Sequence, residues 1–246
     1  METNGLKEAS QLIRQSHKTV AFTGAGISVE SGVPDFRGPN GLWSKYDPRL
    51  LELGYFYKHP EECWEAIKKI FYDFLKDVQP NDAHLTLAWM EEREMLQGVI
   101  TQNIDNLHYQ AGSKNVVEYH GNTRRLYCRR CNKYQEADLS QMNFPPVCKD
   151  CGTVLKPDFV FFGEPIPVKA LKGVGGLLEK LEVMLVIGTT GVVYPAGIIP
   201  RIAQSQGAKI IEINIEKSEY TDTITNIFIQ LPASQAMLAL KNLLSS

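Results

Sequence analysis

The sequence feature that most constrains the fold is a set of short apolar segments that alternate with stretches of helical character. The segments comprise residues 18–23, 99–101, 183–187 and 209–215. Strands that are apolar on both faces are typical of a parallel sheet covered by helices on each side. The alternation therefore predicts an α/β fold with a Rossmann-like, doubly wound parallel sheet.

Helical patterns occupy the intervals between these strands. They are predicted for residues 1–18, 61–77, 84–95, 198–204 and 234–244, and a further helix ends at residues 178–181. Residues 38–82 and 124–156 interrupt the alternation, the first as a helical insertion and the second with paired cysteines. We expect a large domain, from residues 1–37, 83–123 and 157–246, and a small domain built from the two insertions.

Composition argues against several classes of protein. The 246 residues are 43% hydrophobic and 22% charged, and the net charge is -2, which is ordinary for a soluble globular protein. This charge predicts no general attraction to nucleic acid or to an anionic membrane. The chain has no apolar run of about 18 residues, and its N-terminal segment is amphipathic instead of signal-like. We expect a cytoplasmic protein, with a monomer as the simplest assembly.

Four of the five cysteines form two Cys-x-x-Cys pairs, Cys128 with Cys131 and Cys148 with Cys151. Two such knuckles bring four thiolates together, which is the ligand set of a zinc ribbon. Because protein fills all four positions, the metal would be structural. We favour zinc over a redox dithiol, and over disulfides that need an oxidising compartment. The fifth cysteine, Cys63, is expected to be a buried apolar residue.

Arginines flank the first cysteine pair, and small zinc modules often bind nucleic acid. The residues are Arg124, Arg125, Arg129 and Arg130. No aromatic stacking series accompanies them, and the chain has no basic excess. We therefore favour a solvated basic face, or a docking face for acidic peptide, over a nucleic-acid site.

Gly24, Ala25 and Gly26 follow the first predicted strand and should open a helix. Backbone N–H groups at such a turn can bind phosphate. The dehydrogenase fingerprint needs a third glycine, but Val29 occupies that position. These residues alone leave a structural turn and a phosphate site equally plausible.

Further motifs follow the glycine turn in a fixed order. They are residues 24–28 (Gly-Ala-Gly-Ile-Ser), 34–38 (Pro-Asp-Phe-Arg-Gly), 101–105 (Thr-Gln-Asn-Ile-Asp), 107–108 (Leu-His), 120–121 (His-Gly), 161–164 (Phe-Phe-Gly-Glu), 188–190 (Gly-Thr-Thr) and 193–196 (Val-Tyr-Pro-Ala). With the cysteine pairs, this ordered set resembles the sirtuin family of NAD-dependent protein deacylases over nearly the whole chain. The resemblance implies that NAD and an acylated lysine of a protein substrate meet in a cleft between the two domains.

The resemblance also assigns the cofactor contacts. They are Gly24, Ala25, Gly26, Ser28, Phe36, Arg37, Gln102, Asn103, Ile104, Asp105, Gly188, Thr189, Thr190, Asn214 and Ser234. Gln102 and Asn103 would hold the nicotinamide ribose and an ordered water, and Asp105 would accept a hydrogen bond from the carboxamide. Without the resemblance, the 102–106 loop is more simply explained by turn chemistry.

The catalytic residues implied by the resemblance are His120, Asn103 and Asp105. A lone histidine is usually structural, but His120 precedes a glycine in a predicted loop, and imidazole titrates near neutral pH. His120 would act as the general base while the acyl group passes to the ribose of NAD. The products would be free lysine, nicotinamide and O-acetyl-ADP-ribose. Among the other histidines, His108 is expected to support the Asn103 loop.

Substrate contacts follow from the same resemblance. Val160 and Phe162, with Ile104, would line an apolar tunnel for the lysine stem. The peptide backbone would pair with Gly163 and Glu164 on one side and with Val192 and Val193 on the other.

Two departures from the family pattern concern NAD. Thr190 stands where serine is commoner, and residues 232–234 lack the usual glycine, which weakens the assignment of Ser234 to the adenosine.

The expected acyl group is neutral, with acetyl first. Family members that prefer succinyl-lysine or malonyl-lysine carry a Tyr-x-x-Arg pair on the small-domain helix, where arginine binds the extra carboxylate. Residues 64–76 contain no such pair. Tyr46 and Arg49 match it literally, but they lie before the helical stretch and across a proline.

Two other functions compete with lysine deacetylation. One is the transfer of ADP-ribose to protein, which uses the same cofactor. The other is a non-catalytic zinc-ribbon module that senses NAD or touches nucleic acid. A binding module has no need of a general base, so the set of Asn103, Asp105 and His120 argues against it.

Overall fold

A six-stranded parallel sheet lies at the centre of the computed structural model, which describes residues 2–34, 41, 44–138 and 144–246. Across the described residues the strands are β1 (Thr19–Thr23), β2 (Val99–Thr101), β3 (Val116–Glu118), β4 (Gly121–Cys128), β5 (Lys133–Glu136), β6 (Lys156–Phe159), β7 (Val183–Ile187), β8 (Lys209–Ile213) and β9 (Ile227–Ile229). The large sheet has the order β3-β2-β1-β7-β8-β9, and every adjacent pair is parallel. Counted within this sheet alone, the order is 3-2-1-4-5-6, which is typical of dinucleotide-binding folds. The predicted fold class is confirmed.

Helices cover both faces of this sheet. The α-helices of the described residues are α1 (Glu2–Gln15), α2 (Leu53–Lys58), α3 (Pro60–Ile67), α4 (Asp82–Glu92), α5 (Leu107–Gln110), α6 (Val168–Leu178), α7 (Ile199–Ser205) and α8 (Ala233–Ser245), of which α2 and α3 belong to the helical insertion. Helices α1, α4 and α8 share one apolar cluster with the sheet, and α6 and α7 share another on the opposite face. The central strands β1 and β7 are buried at every position, as in a sheet covered by helices on both faces; β7 is apolar throughout, and β1 is apolar between its two terminal threonines. No helix in the described part of the chain is long and apolar enough to span a membrane.

A second, antiparallel sheet of three strands has the order β5-β4-β6. A third apolar cluster joins it to α2 and α3, with Phe56, Trp64, Leu126 and Phe159 among its buried members. The Trp64 indole donates a hydrogen bond to the carbonyl of Leu155 at 2.8 Å. The helical insertion and the cysteine-bearing segment therefore share one core.

The helical insertion differs most from its prediction. Instead of one helix over residues 61–77, the chain forms α3, a π-helical turn over Lys68–Asp73 and a 3₁₀ turn over Leu75–Asp77. The wider π turn keeps both Ile70 and Phe71 buried. Such π turns are rare and occur often at functional sites.

Three other differences are smaller. The glycine turn opens a 3₁₀ helix, Ala25–Ser31, and not an α-helix. The edge strands β3 and β9 were not predicted, because three apolar or mixed residues carry too weak a pattern. The predicted helix over residues 84–95 is α4, which begins two residues earlier, where the Asn81 side chain caps the N–H of Ala83.

Candidate active site

The glycine turn lies where the strand order of the large sheet reverses, between the carboxyl ends of β1 and β7. The Gly26 N–H donates to the carbonyl of Gly188 at 2.8 Å. A Cβ atom at Gly26 would lie only 2.7 Å from the Cα of Gly188, so glycine is required for this approach. Ligands of open α/β sheets bind at such a reversal, because loops diverge there and leave a crevice.

The segment after β2 brings polar side chains to the same crevice. Asn103 is 7% exposed, and its amide donates to the carbonyl of Gly24 at 3.1 Å and to the Ser28 hydroxyl at 3.2 Å. The Ser28 hydroxyl in turn donates to a carboxylate oxygen of Asp105 at 2.7 Å. The other Asp105 oxygen accepts the N–H of Leu107 at 3.0 Å. The predicted residues Ser28, Asn103 and Asp105 thus form one hydrogen-bonded group.

Burial changes the acidity of Asp105. Desolvation raises the pKa of its carboxyl group, and the hydrogen bonds from Leu107, Ser28 and Asn103 oppose that rise. The donors therefore stabilise a carboxylate that is removed from water.

Two buried histidines support this group from behind. His84 lies 3.4 Å from the Ser28 hydroxyl through Nε2, and its ring contacts that of His108 edge-on at 4.9 Å. His108 bonds the Thr23 hydroxyl at 2.9 Å, Thr23 bonds the Thr101 hydroxyl, and Thr101 accepts the N–H of Asn103. This chain matches the supporting role predicted for His108. Burial lowers the pKa of His84 to about 4 and that of His108 well below its usual value, so both are neutral at pH 7.

His120 lies between β3 and β4 and is half-buried. Its Nδ1 lies 3.0 Å from the carbonyl oxygen of Gln102. A carbonyl only accepts, so Nδ1 carries the proton and Nε2 keeps its lone pair. Burial lowers the pKa of His120, and the bond to Gln102 partly offsets this shift. The result is a neutral imidazole with a basic nitrogen at pH 7.

Gly121 fixes the direction of the chain after His120. Its φ is 77°, in the left-handed region, and a Cβ atom there would collide with the carbonyl oxygen of Asp158. The Val160 N–H donates to the His120 carbonyl at 2.8 Å. The glycine therefore allows β6 to pass directly beside the histidine.

A pocket opens between the 103–105 loop and the helical insertion. Its lining residues are Ala25, Val33, Pro34, Ile70, Phe71, Phe74, Leu75, Asn103, Ile104 and Asp105. Four of these residues come from the helical insertion and were not predicted as part of the site. Their spacing at 70, 71, 74 and 75 is that of one apolar helix face, and this signal could have identified them.

Other predicted cofactor residues form a second group nearby. The Gln102 amide donates to the Thr189 hydroxyl at 3.1 Å, and the Asn214 amide donates to the Thr189 carbonyl at 3.2 Å. Ser234 lies apart from them at the start of α8, where its N–H donates to Glu30. Phe36 and Arg37 lie outside the described residues. Thr190 accepts the N–H of Glu219 through its carbonyl.

The predicted substrate residues lie on two loops. Phe162 is 46% exposed, and its N–H and carbonyl pair with Leu51 and Leu53 of the insertion. Gly163 is exposed beside it, and Glu164 is half-buried. On the second loop, Val192 is exposed, and the Val193 carbonyl accepts the N–H of Gly197 at 2.7 Å.

The four paired cysteines converge at one point. Their sulfur atoms all lie within 4.8 Å of one another, with 3.6 Å between Cys128 and Cys151 and 3.9 Å between Cys131 and Cys148. A tetrahedron with Zn–S bonds of about 2.3 Å has edges of about 3.8 Å. The donor set and its spacing therefore fit zinc. Cys63 lies elsewhere in the same core, fully buried as predicted, and burial raises the pKa of its thiol to about 11.

The arginines beside the cysteines are largely engaged within the protein. Arg124 pairs with Glu118 at 2.8 Å, and Arg125 pairs with Asp158 at 2.6 Å. The Arg129 guanidinium lies 3.9 Å from the centre of the Tyr57 ring. Arg124, Arg125 and Arg129 therefore each have a partner within the protein.

Comparisons with known proteins agree with this geometry. Residues 24–195 match the model of the Sir2 family. An NAD-dependent protein deacetylase of Thermotoga maritima is 42% identical over 224 residues, covering 89% of this chain and 91% of the relative. The NAD-dependent protein deacetylase 1 of Pyrobaculum aerophilum is 46% identical over 221 residues, covering 89% and 87%.

A solved structure is similar throughout. A Sir2 with a p53 peptide and NAD+ superimposes with a TM-score of 0.88 at 38% identity, covering 96% of this chain and 97% of that one. The match spans both the parallel sheet and the cysteine-bearing part of the chain. The chain belongs to the Sir2 family.

Proposed function

We propose that the protein is an NAD-dependent protein lysine deacetylase that forms nicotinamide and O-acetyl-ADP-ribose. The observation that carries the proposal is the hydrogen bond between His120 Nδ1 and the Gln102 carbonyl. It orients a neutral imidazole next to the loop that holds Asn103 and Asp105. The relatives named as deacetylases support the same reaction.

NAD, when bound, supplies a ribose that accepts the acyl group and a nicotinamide that leaves. The close approach of Gly26 to Gly188 keeps the glycine turn at the reversal of strand order, where a dinucleotide phosphate would bind in the crevice. Asp105 would hold the carboxamide, and Asn103 would orient the ribose. His120 would take a proton from a ribose hydroxyl at Nε2. We propose that the other residues which the family resemblance assigns to NAD also contact the cofactor.

The four cysteines would hold a structural zinc ion. All four positions are filled by thiolates, so no site remains for substrate or water. The metal would fold the ribbon and take no part in the reaction. A thiolate site of this kind suits a reducing compartment, and we propose the cytoplasm.

The preferred substrate would carry a neutral acyl group. The insertion presents Ile70, Phe71, Phe74 and Leu75 to the pocket, and none of them can bind a carboxylate. Arg49 is exposed; it pairs with Asp47 and lies over the Tyr55 ring, and it is not among the residues that line the pocket. This arrangement supports acetyl-lysine over succinyl-lysine.

We also propose the domain division expected from the sequence. Two apolar clusters lie on the faces of the parallel sheet, and a third unites the helical insertion with the cysteine-bearing ribbon. The three-stranded sheet supports boundaries near residues 121 and 159, a few residues outside the predicted 124 and 156.

Replacement of His120 by alanine tests the proposal. Nicotinamide, deacetylated peptide and O-acetyl-ADP-ribose would be measured by mass spectrometry with NAD and an acetyl-lysine peptide. Loss of a general base lowers turnover by about 10²–10⁴-fold. His59→Ala, at an exposed histidine, is the matched control and should retain wild-type turnover.

Three results would contradict the proposal. The first is a folded, zinc-loaded wild-type protein that leaves NAD and peptide intact. The second is wild-type turnover in His120→Ala. The third is label from NAD on protein without lysine deacetylation, which would indicate ADP-ribosyl transfer instead.

A further inference from the structure

Lys156 is a buried cation outside the loops described above. Its side chain is only 4% exposed, and the ammonium lies 4.3 Å from the centre of the Phe161 ring. Removing an ammonium group from water is costly unless its donors are paired. A lysine in such a position therefore needs a structural or functional reason.

The ammonium has three partners, one for each of its donors. It donates to the carbonyls of Pro157 at 2.8 Å and Phe159 at 2.6 Å, and it pairs with Glu164 at 3.0 Å. The same Glu164 oxygen accepts the N–H of Phe161 at 2.9 Å. Lys156 thus ties strand β6 to the turn that follows it.

This turn connects the two sides of the cleft. At one end, the Val160 N–H donates to the carbonyl of His120. At the other end, Phe162 exchanges backbone hydrogen bonds with Leu51 and Leu53. The segment held by Lys156 therefore runs from the proposed base to the helical insertion.

We propose that Lys156 is a positioning residue that holds residues 160–164 in the conformation that receives the acyl-lysine peptide. The three polar partners of the ammonium all belong to the protein. Lys156 acts through Glu164 and the carbonyls of β6, which fix Phe162 as a wall of the lysine tunnel. The inference rests on the proposed function, because it assigns the peptide to this turn.

The lysine has an alternative explanation as an ordinary core ion pair. In that case its loss would lower stability without a selective effect on the peptide. The proposed NAD contacts follow β1, β2, β7 and β8 or lie on α8, and none of them belongs to residues 160–164, so a positioning role predicts that peptide and NAD respond differently.

Amide hydrogen exchange of the zinc-loaded protein tests the role without any turnover. Lys156→Met keeps the aliphatic stem and removes the ammonium. We expect exchange at residues 160–164 to become at least about tenfold faster, with the parallel sheet unchanged. Lys69→Met removes an exposed ammonium paired with Glu65 and should exchange like wild type. Wild-type protection in Lys156→Met would overturn the proposal.

Steady-state kinetics then measure the consequence. For Lys156→Met we expect the KM for acetyl-peptide to rise about tenfold and the KM for NAD to change less than about twofold. Lys156→Arg keeps a cation with enough donors and should restore most of the peptide affinity. Equal rises in both KM values, or none, would contradict the positioning role.

Glu164→Gln covers the case in which Lys156→Met does not fold. It keeps a carbonyl acceptor for the Phe161 N–H and removes the negative partner of Lys156. We expect faster exchange over residues 160–164, and unchanged exchange would overturn the proposal. Wild-type protein without deacetylase activity would defeat the proposed function, while the exchange comparison would still decide the role of Lys156.

Discussion

The two halves of this protein are held together in different ways. The parallel sheet is buried between two clusters made mostly of aliphatic residues from long, regular elements. The helical insertion and the cysteine-bearing segment share one smaller cluster, in which aromatic residues and cysteines join aliphatic ones, with short helices, a π turn and a three-stranded sheet around it. Because this core is smaller, we expect the second half to depend more on the metal that its four cysteines would hold.

The two regions contribute different groups of residues to opposite sides of the proposed site. Asn103, Asp105 and the glycine turn sit at the ends of buried strands and share a hydrogen-bond network. Ile70 and Phe71 reach the pocket from a π turn in the small domain. The sheet therefore supplies fixed chemistry, and the insertion supplies an apolar wall that depends on the ribbon beside it.

Metal removal should separate the two halves most strongly. Zinc bound by four thiolates contributes on the order of 10 kcal/mol to the folding of small domains. With a strong chelator, we expect rapid hydrogen exchange throughout residues 44–77 and 124–156, near-complete loss of deacetylation and a persistent parallel sheet. Zinc should restore all three properties.

Cysteine variants sharpen this experiment. Cys148→Ser should reproduce the effect of the chelator, because it removes one ligand. Cys63→Ala changes a buried thiol of the same core that lies outside the cluster, and it should still bind zinc. Simultaneous unfolding of the parallel sheet would show that the two halves are not independent.

Acid should destabilise the large domain, whereas metal removal should destabilise the small one. The pKa of His84 is lowered to about 4, whereas an unfolded histidine titrates near about 6.5. Below the latter value the unfolded chain binds more protons, so stability falls as the pH drops from about 6.5 to about 4. The slope approaches about 1.4 kcal/mol per pH unit for His84, and His108 adds to it.

Denaturant unfolding of the zinc-loaded protein between pH 7 and 5 would measure this slope. The raised pKa of Asp105 opposes it, because that carboxyl group takes up a proton earlier in the folded state. His84→Asn should flatten the profile. If the stability of His84→Asn depends on pH as that of the wild type does, His84 is not the source of the slope.

The smallest expected effect concerns the contact between the insertion and the ribbon. Trp64→Phe removes the hydrogen bond to Leu155 and leaves a buried carbonyl unpaired, at a cost of about 1–3 kcal/mol. Hydrogen exchange should accelerate in the small domain alone. Trp89→Phe changes a half-buried residue on the sheet side and provides the control. Equal losses in both variants would argue against a local role for Trp64.

The elements predicted well were those with a strong local signal. Strand β7 is apolar throughout, β1 and β8 are mostly apolar, and the spacing of the two cysteine pairs predicts a metal site directly. The edge strands β3 and β9 were not predicted, because they are three residues long and are stabilised by pairing with a neighbouring strand. The π turn was not predicted, because residues 61–77 have helical propensity throughout. Packing against the ribbon decides where the helix widens.

The same division holds for the site. The family resemblance identified Asn103, Asp105 and His120 as candidates and suggested their roles, whereas the local sequence alone favoured turn chemistry for the loop that holds Asn103 and Asp105. The tautomer of His120 depends on a carbonyl 18 residues earlier in the chain. The bond from Ser28 to Asp105 spans 77 residues. Neither contact leaves a pattern in the sequence.

By itself, then, the order of residues determined the sheet, the metal ligands and the chemical types available for catalysis, because periodicity, spacing and side-chain chemistry are local properties. Only the tertiary structure decided which nitrogen of His120 is basic, which helix face lines the pocket and why Lys156 is buried. These outcomes depend on long-range packing, where burial changes charge energetics and distant backbone groups become hydrogen-bond partners.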